Sequence, residues 1–257
     1  MIKNLNNKKG IIIFCLSFIS LFISFYFNED GSGGGAKGDY EVTYGFIIAL
    51  QDNLLSNPKD WTIVHTPLHF ILLSFVTRLI HNPDILRFVF CIFAISIPFV
   101  FYLIVSKFYK FNFSNENLLL ISSSIFFIPS FRYTSLWAND LITSLFFFLI
   151  SIYFFKKWEI NKKTFLEKNL LLQVLFLVLA TYTRQYFAVF FAYFLYEYYK
   201  TLELKNFIKL FGICVLSSIP VLLYTYKFPE LLTGQWISIY ATNYFLLGNS
   251  SIISITL

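Results

Sequence analysis

Asp39 and Glu41, separated only by Tyr40 and preceded by the glycine-rich stretch Gly31 to Gly38, place two carboxylates in one short segment. A carboxylate within hydrogen-bond reach of a hydroxyl can act as its general base, and it can also stabilise positive charge developing at a reacting carbon. The competing reading is a solvated acidic loop continuous with Glu29 and Asp30. Arg87, Arg132 and Arg184 form a second set. A guanidinium presents a planar fork of donors that matches phosphate oxygens, whereas lysine offers a point charge. Each arginine could equally snorkel to lipid headgroups or pair with a nearby carboxylate, as Arg87 with Asp84. Asp140 stands eight residues after Arg132 at the start of an apolar run, where a carboxylate also suits a helix N-terminus. Gln185, with Tyr133, Tyr182 and Tyr186, adds hydrogen-bonding capacity of the kind a sugar uses, although aromatics at a membrane interface are ordinary anchors.

His65-Thr66-Pro67-Leu68-His69 reads as a helix start, with proline in the first turn and the two histidines on one face. That spacing can bind a metal, but no third ligand lies nearby and no glutamate stands between them, so polar contacts at a loop edge are the better reading. No metal site is assigned from these residues, and a divalent cation is left open as a cofactor. Cys15, Cys91 and Cys214 lie far apart within apolar runs, which argues against a disulfide or a zinc site.

These side chains must be positioned by elements whose solvent is lipid. The chain is 57% hydrophobic and 21% aromatic, with only 13% charged residues, well outside the soluble globular range. In hydrocarbon only helices or closed barrels satisfy the backbone, and no run alternates with the period of a barrel strand. The expected fold is therefore all-α, a polytopic bundle of about eight spans making one transmembrane domain over residues 1–257. The net charge of +6 does not point to nucleic acid, because the lysines fall in short clusters between apolar runs, as in cytoplasmic loops.

The apolar run Ile11 to Phe27, preceded by Lys3, Lys8 and Lys9, reads as a signal anchor; a cleaved signal peptide is the alternative. Residues 28–87 are then an extracytoplasmic loop in which Gly31 to Gly35 is expected as flexible linker, Tyr44 to Leu55 as a surface helix, and Pro67 to Ile80 as an interfacial helix too short to cross. The remaining expected spans are Phe88–Ser106, Asn117–Phe131, Leu141–Phe155, Leu170–Thr183, Tyr186–Tyr199, Leu210–Tyr226 and Ile237–Leu257. Leu170 to Tyr199 could instead be one long tilted helix with Arg184 buried in it. This alternation puts thirteen of the sixteen lysines in the cytoplasm and all four arginines outside, so the arginines need an explanation other than orientation. The last apolar stretch runs to the end of the chain, as in a fragment or a short family member.

The order of these features resembles the GT-C membrane glycosyltransferases: Asp39 and Glu41 in a first outer loop, His65-Thr66-Pro67-Leu68 opening a juxtamembrane helix, Leu86-Arg87-Phe88 leading into a span, and Arg132-Tyr133 with Asp140 at a later outer turn. Residues 38–155 look similar to the protein O-mannosyltransferase and aminoarabinose-transferase branches. Tyr133 to Asp140 with Thr183-Arg184-Gln185 looks similar to the dolichyl-phosphate-glucose glucosyltransferases. The resemblance covers about the first 200 residues. It departs from the family where Tyr40 separates an often adjacent acidic pair, where Thr66 replaces the first proline of His-Pro-Pro, and in lacking a C-terminal soluble domain.

The resemblance implies an enzyme that takes a sugar from a polyprenyl-phosphate donor and transfers it, usually with inversion, to a lipid, glycan or protein acceptor. The reaction would occur at the extracytoplasmic face of a bacterial inner or plasma membrane, or of an endoplasmic reticulum membrane. It would make Asp39 the base with Glu41 in support, and turn Arg87, Arg132 and Arg184 toward the donor phosphate. His65, His69, Tyr133, Asp140 and Gln185 would contact substrate. The competing classes are a transporter or flippase for a lipid-linked or anionic solute, and a non-catalytic membrane partner; a transporter calls for mid-membrane charge and repeat symmetry, and neither stands out.

Overall fold

The computed structural model describes residues 2–52, 65–109, 114–161, 164–165 and 167–227. Among them every regular element is helical: α1 (Ile2–Tyr26), α2 (Gly35–Asp52), α3 (Leu68–Thr77), α4 (Pro83–Ala94), α5 (Ser96–Phe108), α6 (Asn115–Ser123), α7 (Pro129–Leu136), α8 (Asp140–Ile160), α9 (Lys168–Thr183), α10 (Val189–Thr201) and α11 (Leu204–Lys227). Four helical stretches are long and apolar enough to cross a membrane: Lys9–Tyr26, Pro83–Phe108, Asp140–Ile160 and Leu204–Tyr224. The last expected span, Ile237–Leu257, lies outside the described residues.

The stretch Pro83–Phe108 is interrupted at Ile95, because Pro98 has no N–H to give the Ala94 carbonyl. The apolar run expected to span from Asn117 to Phe131 is instead broken. α6 ends at Ser123, a 3-10 turn follows, and Ile128 is extended because Pro129 disfavours helix in the residue before it. Leu170 to Tyr199 is also not a single helix. Arg184, at φ −145° and ψ 114°, separates α9 from α10.

The 28–87 segment is more ordered at its start than its composition suggests. Asp30 and Ser32 cap α2: Lys37 N donates to Asp30 Oδ2 at 2.9 Å and Ala36 N donates to Ser32 Oγ at 2.7 Å. Gly33 and Gly34, at φ +70° and +98°, make the turn that lets those caps fold back onto the helix. The glycines therefore build a capped turn in place of the expected linker, and residues 38–41 lie within α2 and not in a loop.

One core joins α1 to α8, with Leu86, Ile97, Leu136 and Ile142 fully buried; a second packs α8 to α11 around Trp158 and Tyr198. α8 belongs to both and forms an antiparallel hairpin with α9, so the start of α8 lies beside the end of α9. α11 is apolar and has little of its length fully buried, as expected of a helix whose solvent is lipid.

Candidate functional site

Three turns at one end of the bundle position the charged residues. α1 ends at Tyr26, and Asn28 adopts a left-handed conformation at φ 51°. Asn28 N then donates to the Phe25 carbonyl and Glu29 N to the Ser24 carbonyl, a helix stop that asparagine tolerates. This stop aims Asn28 and Glu29 at two of the arginines. Asn28 Oδ1 accepts from both Nη1 and Nη2 of Arg87 at 3.2 Å; Arg87 Nε donates to the Leu136 carbonyl, Nη1 also donates to Asp84, and the Trp137 ring lies 3.6 Å from the guanidinium carbon. Arg87 is 4% exposed.

Glu29 grips Arg132 with both oxygens, at 3.1 and 2.9 Å, while Ser20, Ser24 and the Phe126 carbonyl take its remaining donors. Arg132 holds the Glu29 carboxyl below the usual carboxylate range. Both guanidiniums thus tie helices together, and their donors are engaged inside the protein.

The second turn, between α7 and α8, holds Ala138 at φ 47°, a conformation that costs an L-residue of this kind roughly 1 kcal/mol. His69 at the start of α3 supports it. Its Nε2 hydrogen bonds the Ala138 carbonyl at 2.9 Å, so this nitrogen carries the proton; Nδ1 therefore accepts from Thr143 Oγ1, also at 2.9 Å. The ring is fully buried, and burial pushes its pKa down to about 4. Asn139 then caps α8 by accepting from Leu141 N, which leaves Asp140 at the first helical position with its carboxylate free of capping duty.

The third turn ends α9. Arg184 Nε lies 3.3 Å from Asp140 Oδ2, and Arg184 Nη2 lies 3.2 Å from His65 Nε2. An arginine can only donate, so His65 Nε2 accepts and the imidazole is neutral with its hydrogen on Nδ1. Burial lowers the His65 pKa, as that assignment requires. Thr66 Oγ1 donates to the Thr181 carbonyl at 3.1 Å and locks the His65 segment to the last turn of α9. A cation at the C-terminus of α9 facing an anion at the N-terminus of α8 also satisfies both helix dipoles, and this alone would justify the pair structurally. Hydrogen bonding says more: Asp140 Oδ2 and Arg184 Nε are buried, and neither makes a hydrogen bond of good geometry to another described residue, while His65 Nδ1 is buried with the Gln185 side chain beside the ring.

Asp39 shares this place. Its carboxyl is pushed above the ordinary aspartate value by partial desolvation, then by the charges of Asp140 and Asp30, while His65 and Arg184 pull it down. It therefore lies within electrostatic reach of all three members of the cluster, although the residue remains open to solvent. Two positions further along α2, Glu41 points elsewhere and pairs at 4.0 Å with Lys37 on the exposed side. Asp39 and Glu41 are thus separated by the helix that carries them. Gln185 approaches His65 from the turn after α9, and Tyr133 packs over Gly31.

Of the residues singled out from sequence, the structure brings together His65, Asp140 and Arg184, with Gln185 beside His65 and Asp39 within electrostatic reach of them. It uses Arg87, Arg132 and His69 as internal struts. Asn28, Glu29, Trp137 and Thr143 hold the site in place and were given no role from sequence, Glu29 reading with Asp30 as solvated loop; Thr66, noted only as a departure from His-Pro-Pro, locks the His65 segment to α9. Among the described residues no three His, Cys, Asp or Glu side chains are grouped to hold a metal ion. No family model, no curated protein and no solved structure matches this chain.

Proposed function

We propose that this chain is a GT-C-type glycosyltransferase of about eight spans. It would transfer a sugar from a polyprenyl-phosphate donor to an acceptor at the extracytoplasmic face of its membrane, with inversion. The observation that carries the reading is the convergence of Asp39, His65, Asp140 and Arg184 from four separate segments, with buried donor and acceptor atoms that find no good hydrogen bond among the described residues. A buried polar cluster with unmet bonding is costly unless a substrate uses it.

Arg184 supplies the planar donors for the donor phosphate, steadied by Asp140, and the Nδ1 hydrogen of His65 offers a further donor beside it. Asp39 removes the proton of the acceptor hydroxyl as that oxygen bonds to the anomeric carbon. The bond from that carbon to the phosphate oxygen breaks, and the lipid phosphate leaves with the electron pair. Asp39 suits the role of base because partial burial and the Asp140 charge raise its proton affinity above that of an ordinary aspartate.

The test is incubation of the detergent-purified protein with a panel of polyprenyl-phosphate sugars and acceptors, measuring release of lipid phosphate. Transfer should fall by at least about a hundredfold in Asp39→Asn, which keeps size and removes basicity. Full transfer by that variant would remove Asp39 as the base, and release with no donor in the panel would remove the glycosyltransferase reading.

A further inference from the structure

At the opposite end of the bundle, Lys107 in the last turn of α5 and Lys157 in the last turn of α8 converge on one tyrosine. Their Nζ atoms lie 5.3 and 5.1 Å from the centre of the Tyr153 ring, so the two ammonium groups are at most about 10 Å apart. Like charges this close repel unless an anion sits between them. Each lysine is also where a cation suits a helix C-terminus, which accounts for its presence on its own helix but not for the convergence.

Neighbouring lysines show the usual solution. Lys156 bonds Glu159 and Lys200 bonds Glu197, both at 2.7 Å and both one turn apart. Lys107 and Lys157 have no carboxylate partner among the described residues. Lys107 Nζ donates to Tyr153 Oη at 3.1 Å, so the phenol oxygen accepts, and its own hydrogen is directed away to donate elsewhere. Two cations and a hydroxyl donor thus meet at the C-terminal ends of two apolar helices.

We propose that Lys107, Lys157 and Tyr153 form a binding site for the phosphate of an anionic phospholipid headgroup. A lipid fits better than a free anion because the site lies at the ends of apolar helices, where Phe108 packs edge-on against Tyr153 at 5.4 Å. The site does not depend on the proposed reaction, which occurs at the other end of the molecule.

The experiment is native mass spectrometry of the full chain extracted from phosphatidylcholine vesicles with or without phosphatidylglycerol. The wild type should retain phosphatidylglycerol with an affinity roughly tenfold to thirtyfold above that of the double variant K107Q/K157Q. K107R/K157R, which keeps both charges, should retain it and so separates lost binding from lost folding. K200Q, at the same end but already paired, should behave as wild type. Equal retention by K107Q/K157Q and wild type would overturn the site, as would an equal loss in K200Q. Displacement of the lipid by millimolar inorganic phosphate would show a free-anion site and overturn the assignment to a headgroup.

Discussion

Asp39 and Asp140 are two carboxylates in one electrostatic neighbourhood, and only one of them faces an arginine at close range. Partial burial and the Asp140 charge both make Asp39 hold its proton to higher pH than the ~3.9 of a free aspartate. If Asp39 is the base, kcat/KM falls as pH drops through this raised value. Asp140→Asn removes one like charge and frees the Arg184 charge to act on Asp39. Both changes lower its pKa, so the acid limb of the pH profile should move to lower pH even where overall activity declines. A limb that stays in place or moves up would mean that another group sets it. The arginines separate in the same terms. Arg132→Lys breaks the two-pronged bond to Glu29 and should lower stability by roughly 1–3 kcal/mol, read as thermal unfolding in detergent, while KM for the lipid donor holds. Arg184→Lys should do the reverse, lowering kcat/KM by about tenfold with little change in unfolding. Residue type pointed correctly to arginine as a rare, costly group here. It did not separate the struts from the ligand candidate, because the partners of Arg87 and Arg132 lie 59 and 103 residues away in sequence.

The short helix α3 matters mainly through its first turn, where His69 braces the left-handed turn that presents Asp140. Its pKa is about 4 in the folded protein and about 6.5 when the chain is unfolded, so between these values the unfolded state binds the extra proton. The neutral ring's contribution is therefore present above about pH 6.5 and is lost as pH falls toward 4. From pH 6.5 to pH 5 the loss is roughly 2 kcal/mol. Unfolding temperatures measured at pH 7 and pH 5 should differ in the wild type and differ less in His69→Gln, which has no proton to gain. An equal pH dependence in the two proteins would place the sensitivity elsewhere. At this scale the apolar runs that became α1, α4 with α5, α8 and α11 were legible because length and hydropathy decide whether a helix can cross lipid. The break between α6 and α7 was not, since the run there is apolar enough on average to read as one span, and the interruption comes from Pro129 acting on Ile128 after the serines 122–124. The order in α2 was hidden for a different reason. Its glycines look flexible until Asp30 and Ser32 are known to cap the helix.

Charge is sorted between the two ends of the whole molecule: Arg87, Arg132 and Arg184 belong to the end that holds Asp39, while Lys107, Lys156, Lys157 and Lys200 lie where α5, α8 and α10 finish at the other. A lysine-rich end favours the cytoplasm, so the proposed orientation puts the carboxylate and arginine cluster outside. This can be read directly in a protein in which Cys15, Cys91 and Cys214 are replaced by serine or alanine, with single cysteines introduced at exposed positions, Tyr186 among them beside His65 and Arg184. Glu41→Cys on α2 and Tyr186→Cys after α9 should react with a membrane-impermeant maleimide in sealed right-side-out vesicles. Lys205→Cys, between α10 and α11, should react only after the membrane is opened. Labelling of Glu41→Cys and Tyr186→Cys on opposite sides would separate Asp39 from Arg184 and undo the site together with the orientation. Labelling of both from inside would keep the site intact but turn it toward the cytoplasm, where a donor of the same chemistry would have to be supplied from the other leaflet.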